Sequence, residues 1–212
     1  CDVRAENIEN EDGGEAFDVV MPGRRFRAHI PVQGKHNIQN ALAAATCGVL
    51  LGLSDEEIKK GLSLFKNAGM RQNIYKRKGL TLIEDCYNAS PDSVEAALEL
   101  LKETPCKGKR IAVLGAMHEL GAYAAEGHRR CGRACAKSAD LLLACGAGAE
   151  AYLDGAKAAG MPAECMMHYA DKTALSKRLR DLAEAGDVLL LKGSRAEQME
   201  EVIDLYFGEA SV

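Results

Sequence analysis

Three runs of almost unbroken apolar residues constrain this chain more than any other feature: RIAVLG (110–115), DLLLACG (140–146) and VLLLK (188–192). Each is too short for a buried helix, and each gives way to glycine or a charged residue. A strand apolar on both faces is stable only where both faces are covered, and the stretches between the runs are long enough for helices of about 12 residues. The pattern predicts a mostly parallel sheet between two helix layers. TLIED (81–85) and a short run near 165–168 extend it, so residues 70–212 are expected to form one three-layer α/β domain. Its core strands are expected at 81–85, 110–114, 140–145 and 187–191.

The intervening segments carry helix signals. Ser90-Pro91 reads as an N-cap and first-turn proline, followed by Val94, Ala97, Leu98 and Leu101 on one face. A second helix is predicted over roughly 124–138, an alanine-rich one after 146, and one opened by Asp171. A last helix uses Met199, Val202, Ile203 and Leu205. Upstream the rhythm differs. FDVV (17–20) and FRAHIPV (26–32) read as strands of a hairpin or sheet edge, since Phe26, Ala28, Ile30 and Val32 alternate. Ile38, Ala41, Leu42, Ala45 and Val49 then line one helix face, with Gly52 closing it. Ser54 and Glu57 form a capping box ahead of Ile58, Leu62 and Phe65. Around Asn67–Met70 the helical pattern stops, which sets a domain boundary there. Residues 1–69 read as the β-hairpin and helical tail of a domain whose main sheet lies upstream.

Composition removes several functions. Lys and Arg number 27 against 31 Asp and Glu, a formal charge of −4, which leaves no cationic field for nucleic acid or a membrane surface. No run approaches the about 18 apolar residues of a membrane span. The eight cysteines show no C-x-x-C pair and several sit inside apolar runs, so free thiols in a reducing cytoplasm are expected, with neither disulfide nor zinc. His128, Cys131 and Cys135 share a helix face, but Gly132 and Ala134 beside them point to close helix packing. There is no G-x-x-x-x-G-K-[ST] loop: Gly108-Lys109 precedes a strand instead of following one. A self-contained nucleotide hydrolase is not expected.

In open parallel sheets ligands gather beyond the carboxyl ends of the strands. Those ends carry Glu84, Asp85, Tyr87, Asn88 and Ser90, then Gly115, His118 and Glu119, then Lys192, Gly193, Ser194 and Arg195. Capping and turn formation explain Ser90, Gly193 and Ser194; they explain Asp85, Tyr87, Lys192 and Arg195 poorly. In GKHNIQN (34–40), His36, Asn37 and Asn40 fall in the first turns of a helix, with His36 and Asn40 at i, i+4. The amides of Asn37 and Asn40 suit either a purine edge or a helix cap.

GKHNIQNALAAA (34–45), GMRQN (69–73), IEDCYNASPDSVEAAL (83–98), IAVLGAMHELG (111–121) with His128, and LLLKGSRAEQMEEV (189–202) together resemble the Mur ligases, in that family's order. The Y-N-A-S-P-D-S and K-G-S-R runs resemble those members that add D-alanyl-D-alanine to a UDP-N-acetylmuramoyl-tripeptide in peptidoglycan precursor synthesis. The resemblance implies a three-domain parent. This chain would cover the end of its central ATP-binding domain and a Rossmann-like carboxyl-terminal domain, with the break near residue 69 at the hinge. It implies ATP and Mg2+ as cofactors of the complete enzyme, neither held tightly by this chain. His36, Asn37 and Asn40 would meet adenine, Arg71 the phosphates and Asp85 the ribose. Tyr87, Asn88, Ser194 and Arg195 would face the acceptor dipeptide, with Lys192 in a supporting catalytic role beside Arg71. The chemistry implied is phosphorylation of a carboxylate to an acyl phosphate, followed by amine attack.

Two positions depart from the family pattern: Ser90 stands where asparagine is usual, and Ala116 where an acidic residue is usual. The implied phosphate-binding loop, magnesium ligands and UDP-sugar domain lie outside the chain. An inactive piece of a cytoplasmic, monomeric ligase is therefore expected. The alternatives are a stand-alone binding module of the same fold, or a ligase for another peptide or a folate-like substrate.

Overall fold

In the computed structural model, which describes residues 2–66 and 69–208, the chain divides into two units, Cys1–Ala68 and Gly69–Val212. Of the expected boundary residues, Asn67 and Ala68 lie outside the described ones.

The first unit is a three-stranded antiparallel sheet backed by two helices. β1 (Arg4–Glu11), β2 (Gly14–Met21) and β3 (Arg24–Ile30) pair in that order. The Asp12-Gly13 turn has both residues at positive φ, 48° and 77°, as a tight hairpin twisted with its strands requires. Phe17, Val19, Phe26, Ala28 and Ile30 bury one sheet face against Ile38, Ala41 and Ala45 of α1 (Lys35–Leu50) and Ile58 and Leu62 of α2 (Asp55–Ser63). The expected hairpin is thus two strands of three. β1, RAENIENE, was illegible because polar residues dominate both its faces, and its register shifts between Glu6 and Glu9. Charge pairs such as Arg27–Glu9 at 2.6 Å lie along it. The Ser54–Glu57 capping box forms as expected. α1 has no side-chain cap; the buried Glu15 carboxylate accepts the Gly34 N–H at 3.1 Å, placing negative charge at the helix start.

The second unit is a six-stranded sheet in the order β4-β5-β9-β6-β7-β8. β5 (Leu80–Asp85), β9 (Val188–Lys192), β6 (Arg110–Gly115), β7 (Leu141–Cys145) and β8 (Met166–Tyr169) run parallel, which bears out the predicted architecture. β4 (Asn73–Arg77) is an antiparallel edge strand that the apolar pattern did not mark. Alternate residues face alternate layers. Ile83, Ala112, Leu114, Leu142 and Leu190 pack under α3 (Pro91–Glu103), α4 (Ala124–Cys135) and α5 (Glu150–Ala158). Leu82, Ile111, Val113, Leu143 and Leu191 pack under α6 (Lys172–Leu182) and α7 (Glu201–Phe207). α4 ends three residues before the expected Ser138, and Met199 precedes the last helix instead of lying within it.

α4 and α5 touch backbone to backbone. A Cβ on Gly132 would lie 2.0 Å from the Tyr152 carbonyl oxygen, and one on Gly155 2.0 Å from that of Arg129. This closeness brings His128 edge-on to Tyr152, with ring centroids 4.7 Å apart. Tyr152 donates its hydroxyl to the Gly115 carbonyl at 3.1 Å, and His128 Nε2 accepts the Met117 N–H at 2.9 Å while Nδ1–H donates to Ala124. The face carrying His128, Cys131 and Cys135 is therefore a packing face that anchors the loop after β6. Burial pushes the Cys131 and Cys135 thiols up to about 12. No helix among the described residues is long and apolar enough to cross a membrane.

Replacing Gly132 by alanine should destabilise the second unit by about 1–3 kcal/mol, because the helices must separate. Gly61→Ala, in α2 with open space around it, should stabilise the first unit by about 0.5–1 kcal/mol. Urea unfolding of both variants beside the parent checks the two signs.

Candidate functional site at the carboxyl ends of the central strands

The chain leaves β5 and β6 into helices on one face of the sheet and leaves β9, which lies between them, into α7 on the other. The connections diverge around the end of β9, where the rule for open parallel sheets places a ligand crevice. Its walls are the segments 85–90, 115–119 and 193–198.

At its base Lys192 donates to Asp85 Oδ2 at 2.6 Å and to the Asn88 carbonyl at 2.9 Å. The Lys192 side chain is 1% exposed and that of Asp85 11%, so this is a buried ion pair joining adjacent strands. Two residues assigned to different roles in the sequence are thus one unit. Just beyond, Gly193 and Gly115 approach so closely that a Cβ on either would lie 2.7 Å from Met199 Cγ. Ser194 is buried; its N–H donates to the Ala116 carbonyl and its Oγ accepts the His118 N–H at 2.9 Å. Arg195 is half exposed and pairs with Glu200 at 2.5 Å. Arg71 stacks its guanidinium 4.2 Å above the Tyr87 ring, and Tyr87 itself is half exposed. The side-chain oxygen of Asn88 accepts the Ala89 N–H. Behind this group Glu84 has its carboxyl pushed up by burial, while a hydrogen bond from Asn73 pulls the other way.

The two departures have local explanations. Ser90 caps α3 in a reciprocal capping box with Ser93, a job that asparagine also fills. Ala116 is buried in the core under α3, α4 and α5, and its backbone bonds to Cys145 and Ser194.

The remaining assigned residues belong to the first unit. Asn37 and Asn40 line a groove of about 280 Å³ whose walls include Ile30, Val32, Leu53 and Phe65. Asn37 also donates to the Gln33 carbonyl at 2.7 Å. His36 parts from them: its ring lies under Gly34, where a Cβ would be 2.8 Å from Cε1, and it is not among the residues lining the groove.

Sequence reasoning passed over a second pair at the crevice, His118 and Glu197, with Nε2 2.6 Å from Oε1. The residues are 79 positions apart, so no spacing signal connects them. Among the described residues no group of three His, Cys, Asp or Glu could hold a metal ion.

Residues 70–195 match the family model for the Mur ligase, glutamate ligase domain, and residues 1–48 that for the Mur ligase middle domain. The chain is 37% identical over 206 residues to the UDP-N-acetylmuramoyl-tripeptide–D-alanyl-D-alanine ligase of Escherichia coli. It is 33% identical over 204 residues to the Bacillus subtilis protein of the same name. Both alignments take in 95% of this chain and 44% of the relative. The crystal structure of MurF from Acinetobacter baumannii is similar with a TM-score of 0.84 and 29% identity, over 98% of this chain and 45% of that one. The chain spans less than half the length of the relatives it matches.

Removing either partner of the buried pair, by Asp85→Leu or Lys192→Met, should destabilise the second unit by about 3–5 kcal/mol, since an uncompensated charge is left in the interior. The double variant should recover much of that loss. Urea unfolding of the single and double variants measures this, and a double variant no more stable than the weaker single would contradict the pairing.

Proposed function

The chain belongs to the Mur ligase family, and from that premise we propose that it supplies nucleotide- and acceptor-side groups to an ATP-dependent ligase that joins D-alanyl-D-alanine to a UDP-N-acetylmuramoyl-tripeptide. The observation that carries the proposal is the polar crevice around β9, built on the Asp85–Lys192 pair, in a chain 37% identical over most of its length to a ligase of that name.

Each side chain has a role its surroundings suit. The groove bearing Asn37 and Asn40 offers apolar walls for a purine face and amides for its edge. Asp85, with Oδ2 held by Lys192, is left with Oδ1 to accept from ribose hydroxyls. Arg71, oriented by the Tyr87 ring, presents a planar five-donor cation to phosphoryl oxygens. Tyr87, Asn88, Ser194 and Arg195 border the crevice that would receive the dipeptide. ATP, when bound, would convert the substrate carboxylate to an acyl phosphate, and charge on the transferring phosphoryl group is what Arg71 would offset. Among the described residues no group of three His, Cys, Asp or Glu could hold a metal ion, so this reading assigns none of them to magnesium.

Most affinity for a triphosphate comes from a phosphate-binding loop and its lysine, and no such loop occurs in this sequence. The chain by itself is therefore expected to bind ATP weakly and to turn nothing over. Calorimetry with ATP and magnesium, beside a phosphate-release assay with donor and acceptor, checks this; turnover or low-micromolar affinity would contradict it. In the longer protein, Arg71→Ala should cost about 2–5 kcal/mol of ligation free energy, with UDP-substrate binding unchanged. A longer protein that fails to ligate D-alanyl-D-alanine would overturn the substrate assignment.

A further inference from the structure

The His118–Glu197 pair is not used by any of the roles above, yet it sits in the walls of the same crevice. His118 follows β6 and Glu197 follows β9, the two strands whose connections part there. The imidazole has one nitrogen, Nε2, on the Glu197 carboxylate at 2.6 Å; Nδ1 has no hydrogen-bond partner among the described residues. A carboxylate that accepts a hydrogen bond from one ring N–H fixes the tautomer and leaves a lone pair on the other nitrogen. His118 is 48% exposed at its side chain and Glu197 only 18%, so the carboxylate lies inward and the imidazole outward.

The backbone holds this arrangement from both sides. The His118 N–H donates to Ser194 Oγ, the Glu197 N–H to the Ser194 carbonyl at 2.9 Å, and Lys172 Nζ to the Glu197 carbonyl at 3.0 Å. Gly146, at φ 97°, leaves room for the carboxylate, since a Cβ there would lie 2.5 Å from Oε2. The residues following the pair, Glu119 at φ 62° and Gln198 at φ 47°, are both non-glycine residues in the left-handed region. That region disfavours residues with a side chain, so both loops hold a strained backbone next to the pair.

We propose that His118 is the proton acceptor for the incoming amine, with Glu197 as its positioning residue. This rests on the ligase reading above. The dipeptide arrives as an ammonium ion and has no lone pair to attack with. His118 Nδ1 takes one proton from it, becoming an imidazolium balanced by Glu197. The freed nitrogen attacks the acyl carbon of the carboxylic–phosphoric anhydride, forming the C–N bond. The C–O bond to phosphate breaks with its electron pair, and the second proton on nitrogen leaves with the phosphate. His118, half exposed, returns its proton to water.

The test uses the longer ligase and two nucleophiles: D-alanyl-D-alanine, and hydroxylamine, which is already uncharged at neutral pH. In His118→Gln, kcat for the dipeptide should fall about 10²–10⁴-fold with KM unchanged. Hydroxamate formation, which needs the acyl phosphate but no proton acceptor, should continue at the parental rate. Glu197→Gln should show the same split with a smaller loss, and thermal unfolding of both variants should match the parent. Dipeptide ligation at the parental rate in His118→Gln overturns the proposal, as does a parallel loss of hydroxamate. A parent that forms hydroxamate but ligates no dipeptide removes the substrate reading, and this proposal with it, before any variant is made.

Discussion

Lys192 ends the central strand of the sheet with its ammonium group almost wholly out of water, and its compensating charge is Asp85 at 2.6 Å on the neighbouring strand. Burying either ion alone costs several kcal/mol, so neither position tolerates the loss of the other. The pair also sets geometry. Because Lys192 reaches the Asn88 carbonyl as well, the turn between β5 and α3 is tied to β9, and Tyr87, which carries Arg71 on its ring, is held in that turn. Arg71, Asp85, Tyr87 and Asn88 all take their places from this buried contact.

The other wall of the crevice is secured by different means. There the anchors are close packing and backbone hydrogen bonds: Gly115 and Gly193 over Met199, Tyr152 to Gly115, His128 to Met117, and Ser194 to the backbone of Ala116 and His118. The glycines in α4 and α5 matter for the same reason, since Gly132 and Gly155 let the helices approach until Tyr152 and His128 reach the loop after β6. Packing far from the crevice thus fixes residues at its rim.

What the sequence disclosed follows from burial. β6, β7 and β9 are covered on both faces, so their apolar runs were legible, and Ser90, Ser54 and Asp171 marked helix starts because capping is local chemistry. β1 and β4 escaped because one is mostly polar and the other pairs only at the sheet edge. Asp85 and Lys192 stood out as charges at apolar strand ends, but their pairing spans 107 positions and no local pattern encodes it. His118 stood among the strand-end residues, but no local pattern linked it to Glu197, 79 positions away. His36 and Asn40 share α1 as the spacing implied, while the His36 ring packs under Gly34, whose missing side chain leaves the space.

The central claim is that chemistry gathers at the carboxyl end of β9 and that the opposite end of the sheet, where Asp187 accepts the N–H groups of Lys109 and Glu184, is structural. Titration of the isotopically labelled chain with D-alanyl-D-alanine, followed by amide chemical shifts, tests this directly. Perturbations confined to residues 85–90, 115–119 and 193–198 are the predicted result; perturbations centred on 107–109 and 184–187, or none at millimolar dipeptide (roughly the weak limit of specific binding), would contradict it.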